Sequence, residues 1–334
     1  MIWMWKYALI GFNGKMYNMN GIYRVFIDGE LVTEQKNKLT LLGRSNALKT
    51  MLGLVPSFAG SMGIGISSKA NNSSDVYLDM SDLDFSVGRY PITAASLGQA
   101  PLDEDVLVYT ARITDTSRYY ITELGLYSNK LSSSFEADNT ILFNFESGDP
   151  FKKDNVYLDS ISGTPNIMTD LVNYRIGSNA VKLSGTSQSI LFNDSVSDLG
   201  YVAPYDQFVL AAYFNASTQC SVVFASGAAS ATYTFTGTTN SYNVLSINKN
   251  SPTSSSGTVD WSKIDNITIN FSDSSVDGSN VPAYVILDGL RVKKYKTLDS
   301  VEGLVSRAVL TTPIEKPFGS VIDIQYLLEM EMVM

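Results

Sequence analysis

The chain has 334 residues, 44% of them hydrophobic, with a net charge of −9, no histidine and one cysteine. That length suits one large or two ordinary domains, and the acidic balance without a Lys/Arg run excludes general affinity for nucleic acid. The missing histidine excludes Ser-His and Cys-His nucleophiles, and a lone Cys220 excludes an internal disulfide or a thiolate metal cluster.

The first residues, Met1 to Ile10, are apolar but lack a basic segment and a small-residue cleavage site, so they make a poor signal peptide. No apolar run approaches the roughly 18–20 residues of a membrane-spanning helix, so no membrane span is expected. Tyr7–Phe12 and Gly21–Ile27 read as strands. Asn13-Gly14 and Asp28-Gly29 are turn signals, the second closing a tight hairpin onto Leu31–Thr33. One helix follows over Leu41–Leu52, capped by Thr40 or Ser45. Its apolar residues Leu41, Ala47, Leu48, Met51 and Leu52 form a stripe at helical spacing that is expected to face the core.

Ser61–Ser67 carries Gly63 and Gly65. No third glycine and no Lys-Ser/Thr follows them, so a phosphate loop is rejected in favour of a closely packed strand. A polar excursion from Asn71 to Asp84 precedes Arg89–Ser96, an extended segment in which Pro91 suggests an edge. Val106–Thr114 and Tyr119–Ser128 alternate as strands, and the polar link 115–118 predicts that they pair as a hairpin. Gly125 marks a bulge or a close approach there. Glu123 sits one step from two leucines, where a carboxylate needs a partner. It reads as a structural residue paired with Arg89 or Arg112.

The composition changes near Phe143–Ser147. From Gln207 to Val259 the single charged residue is Lys249, Ser and Thr recur, and short strands alternate with turns. This is the pattern of an antiparallel sandwich or barrel. After Ser300 the character of the first part returns in Leu304–Leu310 and Ser320–Leu328. Two strands cannot stand alone, so they are expected to rejoin that first part. The fold class is therefore mostly β. An α+β sheet domain with one main helix (residues 1–145 plus 297–334) is interrupted by an inserted antiparallel β-sandwich (residues 146–296).

The helix, Gly63-Ile-Gly65, the strand with Arg89, Val106–Ile113 and above all Glu123-Leu-Gly-Leu126 resemble the N-terminal domain of phage tail-collar fibre proteins and related virion proteins. The resemblance covers about residues 38–130 and the return strands 304–328. It implies a collar, tail or baseplate component, made in the host cytoplasm and located in the virion, docked on other virion proteins. The insert resembles jelly-roll carbohydrate-binding modules. That likeness rests on Phe145-Glu-Ser147, Ile176–Leu183, Trp261–Ile269 and Val285–Val292. Many such modules hold a structural calcium, and Glu146 and Asp288 match the acidic positions. Calcium takes about six to eight oxygens, which two carboxylates and backbone carbonyls could supply.

A structural, non-enzymatic virion protein is the expected function, assembled as a homo-oligomer. The apolar ends Met1–Trp5 and Met330–Met334 lie either in subunit interfaces or in the core. A second reading is a stand-alone glycan-binding module directed at a host cell-surface glycan. Sugars stack on exposed aromatic faces, and Trp261, Tyr201, Tyr205 and Tyr242 are the candidates. Trp261 starts a turn before a strand, which suits a plug at one end of the sandwich. A polysaccharide hydrolase needs only two carboxylates, but the acids of the insert are scattered singly, and no cofactor is required by any of these readings.

Overall fold

The structure is a computed structural model. It describes residues 9–12, 15–54, 57–69, 82–98, 106–128, 141–143, 157–162, 166–168, 180–186, 188–273, 275–276, 281–295 and 303–333. The fold is mostly β, with several antiparallel sheets and, among the described residues, one helix. Before the helix come β1 (Leu9–Phe12), β2 (Lys15–Ile27) and β3 (Glu30–Leu39). Helix α1 (Leu41–Met51) leads to β4 (Ser61–Ile66), β5 (Phe85–Leu97), β6 (Val106–Ile113) and β7 (Tyr119–Tyr127). The middle of the chain supplies β8 (Ile141–Phe143), β9 (Tyr157–Ser162), β10 (Asn166–Met168), β11 (Ala180–Ser184), β12 (Gln188–Ser197) and β13 (Gln207–Phe214). It continues with β14 (Gln219–Ser226), β15 (Ala229–Thr236), β16 (Ser241–Ile247), β17 (Ser254–Ser256), β18 (Ile264–Phe271) and β19 (Tyr284–Lys293). The chain closes with β20 (Leu304–Lys316) and β21 (Ile322–Val333).

Strands from both ends of the chain share one sheet, in the order β1-β2-β21-β6-β5-β4-β7-β20-β3. β3 pairs back onto β2 and, at two residue pairs, onto β20, so the sheet nearly closes on itself like a barrel and leaves few free edges. The β2–β3 turn has positive φ at both Asp28 (50°) and Gly29 (89°), as a two-residue hairpin turn requires. Met330–Val333 belong to β21 and pair with Met16–Met19 of β2, while Met1–Trp5 and Met334 lie outside the described residues.

Two expectations for this region are corrected. β6 and β7 do not pair with each other: β6 lies between β5 and β21, and β7 lies between β4 and β20. The link between them crosses from one side of the barrel to the other. It is held by Lys316, whose Nζ donates to the carbonyls of Asp115 (2.9 Å) and Ser117 (2.7 Å). Pro91 is not at an edge either. β5 pairs with β4 up to Pro91 and with β6 from Ile92 onward, so Pro91 stands where the strand changes partner. A residue without an N–H fits a break in the ladder.

Thr40 caps α1, accepting from the Gly43 amide at 3.0 Å and donating to the Leu304 carbonyl at 2.6 Å. The helix buries Leu42, Gly43, Asn46 and Ala47 against the barrel. Of the expected core stripe only Ala47 is buried: Leu41 is 38% exposed, Leu48 49%, Met51 54%, Leu52 74% and neighbouring Leu54 70%. A Cβ at Gly43 would collide with the Val305 carbonyl oxygen, so the helix backbone lies directly against β20 at that point, with Leu42 buried beside it.

The middle strands form two sheets. One runs β10-β11-β19-β13-β16 with β8 also on β19, and the other β17-β15-β14-β18-β12-β9. Their facing sides share a core that includes Phe208, Leu210, Phe224, Ile267, Ile269 and Leu287. The sheet holding β13 and β19 is buried on both faces. Its other side (Val209, Ala211, Tyr213, Tyr242, Ile286) belongs to the core that also contains the barrel residues Ile64, Phe85 and Leu124. The continuous apolar runs of β13 and β19 follow from this double burial.

Candidate functional site

The barrel and the sandwich meet at a buried charge cluster centred on Glu123. Within β7, Glu123, Gly125 and Tyr127 share a face. Gly125 lies opposite Gly63 on β4 and Arg307 on β20. The Glu123 carboxylate accepts from Arg307 Nε and from the Asp84 amide, the latter at 2.8 Å. Arg307 also reaches the Asp84 carboxylate at 2.8 Å, and both Arg307 and Glu123 are fully buried. Lys293, from the last sandwich strand, approaches Asp84 Oδ1 at 3.3 Å, as does Lys69. Ser67 donates to Asp84 Oδ2 at 2.6 Å. Arg291, two residues before Lys293, donates to the Ser86 carbonyl.

A bulge aims these two cations. β19 pairs Leu290 with Leu210 but Leu287 with Ala212, so Asp288 and Gly289 together oppose Ala211. Gly289 supports this with φ of 133°. The extra residue shifts the strand's phase. Leu287 and Leu290 both face the sandwich core, while Ile286, Asp288, Arg291 and Lys293 face the barrel.

The electrostatics of the two carboxylates diverge. Burial pushes the Glu123 carboxyl up to about 8, against the opposing pull of Arg307. Burial also acts on Asp84, but Arg307, Lys293 and Lys69 together overcome it and hold that carboxyl below its usual range. Glu123 and Arg307 are fully buried and Asp84 nearly so, and the cluster links separate parts of the protein. The partner of Glu123 is therefore Arg307, not Arg89 or Arg112. Arg89 binds Asp82 at 2.7 Å and lies 3.9 Å over the Tyr127 ring, and Arg112 makes an exposed two-bond pair with Asp323 at 2.7 and 2.8 Å. Arg307 lies 184 residues from Glu123, a separation at which strand register cannot be read from local pattern. Gly125 provides a close approach: a Cβ there would come within 2.8 Å of Leu304 and 2.9 Å of Leu83.

The four aromatic candidates separate into two classes. Tyr242 is buried where sandwich meets barrel, donating to Asp288 Oδ2 at 2.7 Å and packing 5.5 Å from Tyr120. It is corrected from a glycan contact to a packing residue, because its ring face is covered. Trp261 packs against Phe208 and Phe224 at centroid distances of 5.8 and 5.2 Å, under the Lys249 ammonium. Its ring plugs one end of the sandwich. Tyr201 and Tyr205 are exposed, and the structure adds a third exposed ring that sequence reasoning missed, Tyr295. Its position just beyond the last sandwich strand was the available signal.

Asp288 is buried and committed to Tyr242, while Glu146 lies outside the described residues, so the proposed calcium pair cannot be assembled from them. Among the described residues no group of three or more His, Cys, Asp or Glu is placed to hold a metal, and no helix is long and apolar enough to cross a membrane. An open depression of about 360 Å³ over β5 and β6, just before β4, is lined by residues such as Ser57, Ala59, Ile92, Ala95 and Tyr109, with no acid among them.

No protein-family description matches the chain, and no curated protein does. Among solved structures, an exo-β-agarase is similar at 13% identity and TM-score 0.34, over 48% of this chain and 25% of its own. Another agarase is similar at 12% identity and TM-score 0.32, over 47% of this chain and 26% of its own. The structure of infectious bursal disease virus Gt strain matches at 11% identity and TM-score 0.21, over 96% of this chain and 65% of its own. The chain thus spans about a quarter of the length of the agarases it matches. Likenesses at these TM-scores carry no argument about function.

Proposed function

We propose that this chain is a non-enzymatic structural protein of a phage virion. It docks on neighbouring virion subunits through its barrel and displays its sandwich for adhesion to host glycans. The observation that supports this is the apolar row Leu48, Met51, Leu52 and Leu54, which the last turn of α1 and the residues just after it expose to solvent. A run of large exposed apolar residues on one element marks an interaction surface. The tail-collar resemblance of Glu123-Leu-Gly-Leu126 agrees with it. Burial of Glu123 and Asp84 speaks against carboxylate catalysis at that pair.

The test is particle incorporation. The wild-type chain is expected in purified virions and to self-associate by light scattering. Leu48→Glu with Leu52→Glu should leave the thermal midpoint nearly unchanged, since exposed substitutions typically move stability by only about 0.5 kcal/mol. That variant should be lost from particles. A wild-type monomer that never enters a particle overturns the reading.

A further inference from the structure

The sandwich carries an exposed aromatic corner that packing does not require. Tyr205 is 65% exposed, Tyr295 53% and Tyr201 40%. Tyr205 and Tyr295 meet at a centroid distance of 5.7 Å and an interplanar angle of 63°. Lys294 stands 5.1 Å over the Tyr201 ring, so all three rings gather around the exit of β19.

The loop that carries two of these rings is fixed from below. The Lys249 ammonium donates to the carbonyls of Leu199 and Val202, both at 2.7 Å. The Leu199 amide donates to the Trp261 carbonyl at 2.8 Å. Buried Asp206 ties the loop to the strand exit, accepting from the Ala203 amide at 2.9 Å and from the Tyr295 amide at 2.8 Å. Asn250 adds a bond to the Pro204 carbonyl. The single charge between Gln207 and Val259 is thus directed inward at this loop, and a buried carboxylate joins its two halves. Anchors of this kind give a surface loop one conformation, which lowers the entropy cost of any ligand that meets it.

We propose that Tyr205, Tyr295, Tyr201 and Lys294 form a saccharide-binding site that takes a pyranose ring in the aromatic corner. A sugar ring presents an apolar C–H face, which packs on an aromatic face, and a rim of hydroxyls. The phenol oxygens and the Lys294 ammonium supply donors at the edges of the rings, so the apolar and polar halves of one small ligand are both met. Two rings set at an angle fit a single compact ring better than a flat protein surface.

This rests on reading the sandwich as the displayed part, and the experiment separates the two. The full-length protein is applied to a printed array of neutral hexose, N-acetylhexosamine and uronic acid oligosaccharides, and bound species are titrated calorimetrically. Binding to one saccharide class is expected. Tyr205→Ala with Tyr295→Ala should weaken it by about tenfold or more, the scale of one lost aromatic contact. The thermal midpoint and particle incorporation should be unchanged. Lys294→Ala should weaken uronic acid binding more than neutral binding. A wild-type protein that binds no saccharide on the array overturns the site, and so does binding that survives the double tyrosine variant. Loss of incorporation in that variant, without saccharide binding by the wild type, would make the corner a protein contact. An incorporated chain with no saccharide binding overturns the site and leaves the virion reading standing.

Discussion

The barrel and the sandwich solve burial in opposite ways. The sandwich core is aromatic and aliphatic, and its one central cation, Lys249, works at the rim as a donor to two carbonyls. The barrel wall instead buries Arg307, Glu123 and Lys316 completely, and Asp84 nearly so. Charges removed from water need partners of good geometry, and loss of one partner strands the other. The barrel therefore depends on a few specific pairs, whereas the sandwich depends on summed packing. The contact between the two follows the barrel's rule, because Lys293 and Arg291 of β19 bring the sandwich's cations to Asp84 and the Ser86 carbonyl.

The strongest test of this contrast removes one partner in each part. Arg307→Met leaves the ionised Asp84 carboxylate without its guanidinium, and Glu123 without its donor, and should lower unfolding free energy by about 3–5 kcal/mol in urea titration. Glu123→Ala should act in the same direction, and an unchanged melting point in both would refute a structural role for the pair. Lys249→Met at the sandwich rim should cost only about 1–2 kcal/mol, because its lost bonds lie where water can enter. A larger loss at Lys249 than at Arg307 would invert the comparison.

The pH profile distinguishes the two carboxylates. The folded-state value of Glu123, about 8, is raised from an ordinary 4.5. Its stabilising contribution is therefore complete below about 4.5 and is lost as pH rises through about 8. Asp84 is lowered from an ordinary 3.8, so its contribution is present above that value and is lost as pH falls below it. Urea midpoints measured against pH should fall on both sides of a plateau. Glu123→Gln should flatten the alkaline side and Asp84→Asn the acid side. If each variant kept the wild-type profile, the cluster would not be the source.

The smallest effect is expected at the helix start. Thr40→Ala removes the cap bond to Gly43 and the bond to Leu304, for a loss of about 1 kcal/mol by thermal melting. The sandwich should be insensitive to that change.

Much of the molecule is legible in its local pattern. Short alternating segments such as Ile264–Phe271 are strands because a half-buried pleat demands period two. Asp28-Gly29 turns because both positions need positive φ, and Thr40 caps because its hydroxyl reaches an orphan amide. These are requirements met within a few residues, and a few residues carry them.

Partner choice is not legible in that way. The pattern of β6 and β7 describes two strands but not which neighbours they take, and the short polar link is equally able to cross the barrel. The apolar stripe of α1 points to the core by pattern, because large side chains usually go there. The helix instead sets its backbone at Gly43 against the Val305 carbonyl and leaves Leu48 and Met51 exposed. Glu123 is recognisable as a carboxylate in need of a partner, while Arg307 becomes that partner only through a register set across the long stretch of chain between them. The sequence alone determined the strand-rich class, the Asp28-Gly29 turn, a hydroxyl cap for the helix and the need for a counter-charge. The tertiary structure alone decided the nearly closed barrel, the face of the helix, the bulge that aims Lys293 and the gathering of Tyr295 with Tyr205. Pairings between distant segments minimise exposed edges and unpaired charge over the whole molecule, and no short stretch of sequence contains that sum.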